Sequence, residues 1–242
     1  MKKLNIILAL AIICITSSMT QANGPITISR SFQQEERTVG SFKGIASGGP
    51  LFVQVTLGNK ETLRFEGDQD AIADLTTEIK DGVLIIKPKT KWSDWNRKYK
   101  NAKVTAYIAA KRLNSLTMSG SGRMIVENTI NSTELVTTIS GSGSIKAAAN
   151  VKSFVGVISG SGSINLTGKA SDSNITLSGS GNFSGKNFSV DDLSAQISGS
   201  ASVFINAEKS IEAVISGSGN ILYTGNAKIE KTILGSGRIR KI

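Results

Sequence analysis

The stretch VISGSGSINL (Val157–Leu166) repeats a phrase met earlier as TISGSGSIKA (Thr138–Ala147) and met again as VISGSGNILY (Val214–Tyr223). Its first residue falls at Ser119, Ser140, Ser159, Ser178, Ser198, Ser216 and, with leucine replacing serine, Leu234. Successive steps of 21, 19, 19, 20, 18 and 18 residues are the length of one solenoid coil. Immediately before the phrase stand Met118, Ile139, Ile158, Leu177, Ile197, Ile215 and Ile233. Two places after it stand Met124, Ile145, Ile164, Phe183, Val203, Ile221 and Ile239. Polar residues separate the apolar ones with the period of two that a strand imposes. Each repeat therefore reads as strand, corner, strand.

The corner explains the constant tetrapeptide. Glycine reaches positive φ at little steric cost, and Gly120, Gly141, Gly160, Gly179, Gly199, Gly217 and Gly235 keep the first glycine position in all seven copies. The serines can close the corner with local side-chain bonds to backbone. Ala201 occupies the second glycine position in one copy, so that site is expected to be less demanding. Identical corners stack about 4.8 Å apart. The expected fold is all-β: a single-stranded parallel β-helix, right-handed, of coils of about 19 residues. Composition agrees, with 25 Gly, 3 Pro and 5% aromatic residues, the small-residue content a narrow solenoid needs.

Other meanings of the motif fail on spacing. A flexible linker would not sit between apolar columns in register. No Lys-Ser or Lys-Thr follows as a phosphate loop requires, and no corner carries the aspartate of a calcium-binding repeat. No cofactor and no metal are expected.

The N-terminus, MKKLNIILALAIICITSSMTQANG, has a basic start, an apolar run from Leu4 to Ile15 and small residues approaching Ala22, the pattern of a signal peptide over 1–22 cleaved after Ala22. Ile13 before Cys14 disfavours a lipid anchor, and the mature chain then has no cysteine and no membrane span. A lead-in over 23–40 precedes one domain over 41–242, whose regular repeats occupy 116–242. Export places the protein in the periplasm or at the cell surface.

The formal charge is +10; removing Lys2 and Lys3 leaves 26 basic residues against 18 acidic, or +8. Such an excess favours anionic surfaces or polymers. It is concentrated between Lys87 and Lys103, where Lys89, Lys91, Arg97, Lys98 and Lys100 are interleaved with Trp92, Trp95 and Tyr99. Cations among aromatics can bind sugars or anionic polymers, which makes these eight residues the candidate ligand surface. Anionic envelope glycans or other surface polymers are the expected partners, and an exported chain is not expected to meet nucleic acid. The favoured alternative is a solvated loop whose tryptophans cover an open end of the solenoid.

Before the repeats, LFVQVTLGNKETLRFEG reads as a hairpin around Gly58-Asn59, and TTEIKDGVLIIKPK as a second around Asp81-Gly82. These are the irregular β-hairpins expected at the N-terminal end of the solenoid. DQDAIADL reads as one helical turn, and Ser47-Gly48-Gly49 as an earlier, degenerate corner.

FKGIASGGPLFVQVTLG (Phe42–Gly58), EIKDGVLIIK (Glu78–Lys87) and the recurring Ser-Gly-Ser-Gly corners together resemble the bacterial putative autotransporter adhesin head domain, the GIN domain. The resemblance covers about Ser41 to Lys231. It implies an envelope or secreted β-helix of unknown molecular function, and it supplies no catalytic residues. No translocator barrel is recognised in the sequence, so the chain is not expected to carry itself across an outer membrane. Two function classes follow: a non-catalytic envelope or surface module for adhesion or ligand binding, and a polysaccharide-processing β-helix enzyme. The chain contains no histidine, the commonest general base. Asp172, Asp191 and Asp192 remain as acids, but adjacent strand residues point to opposite faces and make a poor pair. The non-catalytic module is therefore the expected class.

Overall fold

The computed structural model describes residues 32–242, so the signal peptide, its cleavage site and Cys14 lie outside the described residues. In chain order the elements are β1 (Phe32–Arg37), β2 (Gly44–Gly48), β3 (Phe52–Leu57), β4 (Thr62–Asp68), α1 (Gln69–Ala73), β5 (Leu75–Lys80), β6 (Val83–Pro88), α2 (Trp92–Lys98), β7 (Val104–Ala110) and β8 (Ser115–Gly120). Five long strands follow: β9 (Arg123–Gly141), β10 (Ser144–Gly160), β11 (Ser163–Gly179), β12 (Asn182–Gly199) and β13 (Ser202–Gly217). The last are β14 (Asn220–Thr224), β15 (Lys228–Gly235) and β16 (Arg238–Lys241).

From β9 onward each coil pairs in parallel with the coil before it, equivalent residue on equivalent residue. Ile145 lies on Ile164, Ile164 on Phe183 and Phe183 on Val203, all fully buried. Each such side chain contributes about 1.5–3 kcal/mol by leaving water. Mid-stack, Phe154 packs edge-on to Phe188 at 5.4 Å and tilted to Phe183 at 5.7 Å. Gly156 gives Phe154 its room, since a Cβ there would lie 2.9 Å from the ring.

The two glycines of each corner answer different demands. The first has positive φ throughout the stack, +117° at Gly160, where an added Cβ would also lie 2.6 Å from the carbonyl oxygen of Gly141. That carbonyl accepts the Ser161 N–H at 2.9 Å, and the same bond recurs from Ser142, Ser180, Ser200, Ser218 and Ser236 to the coil before. Backbone bonds between coils therefore hold the corners, and the corner serine side chains stand exposed. The second glycine, expected to be less demanding, is tight for another reason. A Cβ at Gly181 would lie 2.5 Å from Cγ2 of Ile158 in the preceding coil, and the same clash recurs at Gly162, Gly219 and Gly237. Ala201, the equivalent position one coil on, follows Leu177 as Gly181 follows Ile158; Leu177 is the one leucine in that otherwise isoleucine and methionine column, and leucine has no Cγ2.

The N-terminal coils depart from chain order. β2 pairs in parallel with β6 on one side and β8 on the other, and β3 likewise lies between β7 and β9. The coil made of β2, a corner at Gly49 (φ +66°) and β3 is thus inserted between an outer coil of β6 and β7 and the coil of β8 and β9. Gly120 stacks directly on Gly49, so Ser47-Gly48-Gly49 is the first corner of the column. The hairpin expected around Gly58-Asn59 does not form. β7 pairs with both β3 and β4 and separates them, parallel to the first and antiparallel to the second. The Asp81-Gly82 hairpin does form, with φ of +51° and +76° between β5 and β6. The helical turn is α1, whose N-cap Asp68 accepts the Ala71 N–H at 3.0 Å.

Candidate functional site

In the outer coil, the connection from β6 to β7 carries α2 where every other coil has its Ser-Gly corner. The Trp92 indole lies on the first corner: a Cβ at Gly48 would come within 2.7 Å of it and one at Gly49 within 2.1 Å. Glycine is needed there to seat the ring. Trp95 is 2% exposed, stands edge-on to Trp92 at 5.6 Å and donates its Nε1–H to the Ala71 carbonyl at 3.4 Å. Tyr99, also buried, packs tilted on Trp95 at 5.2 Å. The three aromatics form one wedge over the end of the corner column, so their rings are committed to packing.

Asp74, just after α1, ties the wedge down. Its Oδ2 accepts from the Tyr99 hydroxyl at 2.5 Å and from Lys98 Nζ at 2.9 Å, while its carbonyl accepts the Lys89 N–H at 2.8 Å. The Tyr99 and Lys98 bonds hold the Asp74 carboxyl below the usual carboxylate range. Lys98 is pushed up by its bonds to Tyr99 and Asp74, and burial followed by the Asp74 bond pushes the Tyr99 phenol up. Asp74 gave no sequence signal, being separated from Lys98, the last residue of α2, by the β5–β6 hairpin and the rest of that helix.

The cations of the candidate surface all lie outside the wedge. Lys89, Lys91, Arg97, Lys98 and Lys100 are exposed; Arg97 pairs with Asp94 at 3.2 Å, whereas Lys91 and Lys100 have no ion-pair partner among the described residues. The structure therefore separates what the sequence had interleaved: aromatics inward, charge outward.

The acids of the long strands are arranged otherwise than adjacency suggests. Asp191 pairs with Lys209 at 3.0 Å, and Asp192 accepts from the Ser210 hydroxyl at 2.5 Å. Asp172 and Asp192 are register partners on neighbouring coils, one rung apart on the same outward face. Among the described residues, no three His, Cys, Asp or Glu side chains group to hold a metal, and no helix is long and apolar enough to cross a membrane.

Solved structures share this architecture. A putative adhesin from Bacteroides fragilis is 25% identical and superposes with a TM-score of 0.77 over 88% of this chain and 98% of its own. A putative adhesin from Parabacteroides distasonis is 20% identical, with a TM-score of 0.70 over 88% and 98%. A second protein from that organism, described as a putative lipid binding protein, is 22% identical with a TM-score of 0.68 over 87% and 96%. No curated protein matches the sequence. The family model for the putative auto-transporter adhesin head GIN domain matches residues 41–227, and the chain belongs to that family.

Proposed function

We propose that this chain is an exported, non-catalytic envelope or surface module that holds an anionic glycan, or another anionic surface polymer, against the capped end of a rigid β-rod. The observation that carries the reading is the division of labour in the cap: its aromatics pack inward and its cations, Lys91 and Lys100 unpaired among them, face solvent. Family membership supports adhesion as the role, and the formal charge of +10 favours an anionic partner. Binding of the purified mature protein to polygalacturonate, followed through a salt series, tests it. Affinity should fall steeply with salt, and Lys89→Gln/Lys91→Gln/Lys100→Gln should lose about tenfold at an unchanged melting temperature. Equal binding by this variant would sink the assignment. Phosphatidylglycerol vesicles form a parallel arm, because one structural neighbour is described as lipid binding.

One observation favours the polysaccharide-processing alternative: Asp172 and Asp192 face outward one rung apart, a separation compatible with a carboxylate pair. Release of reducing ends from a polysaccharide, lost in Asp192→Asn, would establish that reading in place of the first.

A further inference from the structure

Away from the cap, β1 pairs edge to edge with β4, and Glu36 to Val39 border a cavity of about 550 Å³ beside β4, β7 and β3. Its floor is Thr62 and Arg64 of β4, Tyr107 of β7, and Gln54 and Thr56 of β3, with Glu36 of β1 at the rim. Strand register places Arg64, Tyr107 and Gln54 in one row across three strands. Each of the three is held. The Arg64 guanidinium lies over the half-buried Tyr107 ring, 4.5 Å from its centroid, and is paired with Glu66. Gln54 donates its amide N–H to Glu127, which also accepts from the Thr56 hydroxyl at 3.3 Å. The floor is thus fixed by its neighbours before any ligand arrives, which lowers the entropic cost of binding.

The charge of the lining narrows the ligand class. In a chain of formal charge +10, this cavity is bordered by two carboxylates, Glu36 and Glu61, and two guanidiniums, Arg37 and Arg64. Both cations are already engaged. Arg37 donates to the carbonyls of Leu75 and Ile72 at 2.8 and 2.9 Å and pairs with Glu35 at 2.7 Å, and Arg64 is engaged by Glu66. An anion would find no free counter-charge here and would meet the exposed Glu36 carboxylate. What the floor offers is an aromatic body, the Gln54 carbonyl as acceptor, the hydroxyls of Thr56 and Thr62, and a carboxylate that accepts from paired hydroxyls. That set fits an uncharged ring bearing several hydroxyl groups.

We infer that the Arg64–Tyr107–Gln54 groove is a binding site for a neutral carbohydrate, with a pyranose ring lying along the stacked Arg64–Tyr107 pair and its hydroxyls bonded by Gln54 and Glu36. The site does not depend on the cationic surface of the cap. Its test is calorimetric titration of the full mature chain with maltohexaose, cellohexaose and the N-acetylglucosamine hexamer at low and at about 0.5 M salt. At least one should bind with an affinity indifferent to salt. Tyr107→Ala should weaken it about tenfold or more. Gln54→Ala, which leaves the ring in place, should weaken it several-fold at an unchanged melting temperature. Absence of binding by all three sugars overturns the proposal, as does binding that Gln54→Ala leaves intact. Binding that disappears at high salt also overturns it, and assigns the sugar to the cationic cap instead.

Discussion

At the scale of single residues, the corner column links positions that are distant in sequence. Ile158 occupies with Cγ2 the space a side chain at Gly181 would need, whereas the equivalent column residue one coil before Ala201 is Leu177, which lacks that atom. At Gly162, Gly181, Gly219 and Gly237 the need for glycine is therefore set by the branched isoleucine one coil earlier. Gly181→Ala should destabilise by about 1–3 kcal/mol through overpacking. Adding Ile158→Leu should return a large part of that loss, so the double-mutant cycle should show coupling of about 0.5–3 kcal/mol. Thermal melts of the four proteins measure it, and strict additivity would refute the explanation. None of this was legible from the phrase itself, in which Ala201 reads only as a tolerated exception.

At the scale of elements, α2 is an end cap whose hold depends on one carboxylate. The Asp74 pKa is depressed in the folded protein, so its contribution is complete above the ordinary carboxylate value of about 3.9 and is lost as pH falls through the lower native value. Tryptophan fluorescence should therefore report loosening of Trp92 and Trp95 below about pH 4. Asp74→Asn should remove that acid transition and give a looser cap at pH 7. The coils were legible because one period carries apolar column, glycine and apolar column together. The arrangement ahead of Ser115 was not. LFVQVTL and ETLRFEG satisfy every local rule for a hairpin, yet β7 comes from a later segment and takes the place between them. The Tyr107 groove gave no signal for the same reason, since β1, β3, β4 and β7 contribute to its wall and floor.

At the scale of the molecule, the cap and the last coil each present a group of cations. Lys89, Lys91 and Lys100 surround the cap, and Lys228, Lys231, Arg238, Arg240 and Lys241 border the last coil against Glu230 alone. Like charge on these two surfaces opposes contact between the cap of one copy and the last coil of the next. Lys231→Glu/Arg240→Glu would make the ends complementary. That variant should form higher-mass species in light scattering at low salt that dissolve at about 0.5 M salt. If it scatters like the parent at every salt, charge is not what keeps the ends apart. The inserted coil has a consequence in time as well as in space. Ser144 pairs with Ser163 of the very next coil, but Gly44 of β2 must wait for Val83 and Ser115. A chain emerging amino end first from the ribosome presents β2 and β3 before either flanking partner exists. The long coils can zip one upon the next, each closing a short loop, whereas the N-terminal end closes only after β8 and β9 have emerged. The part of the domain that is made first is thus the part that acquires its structure late.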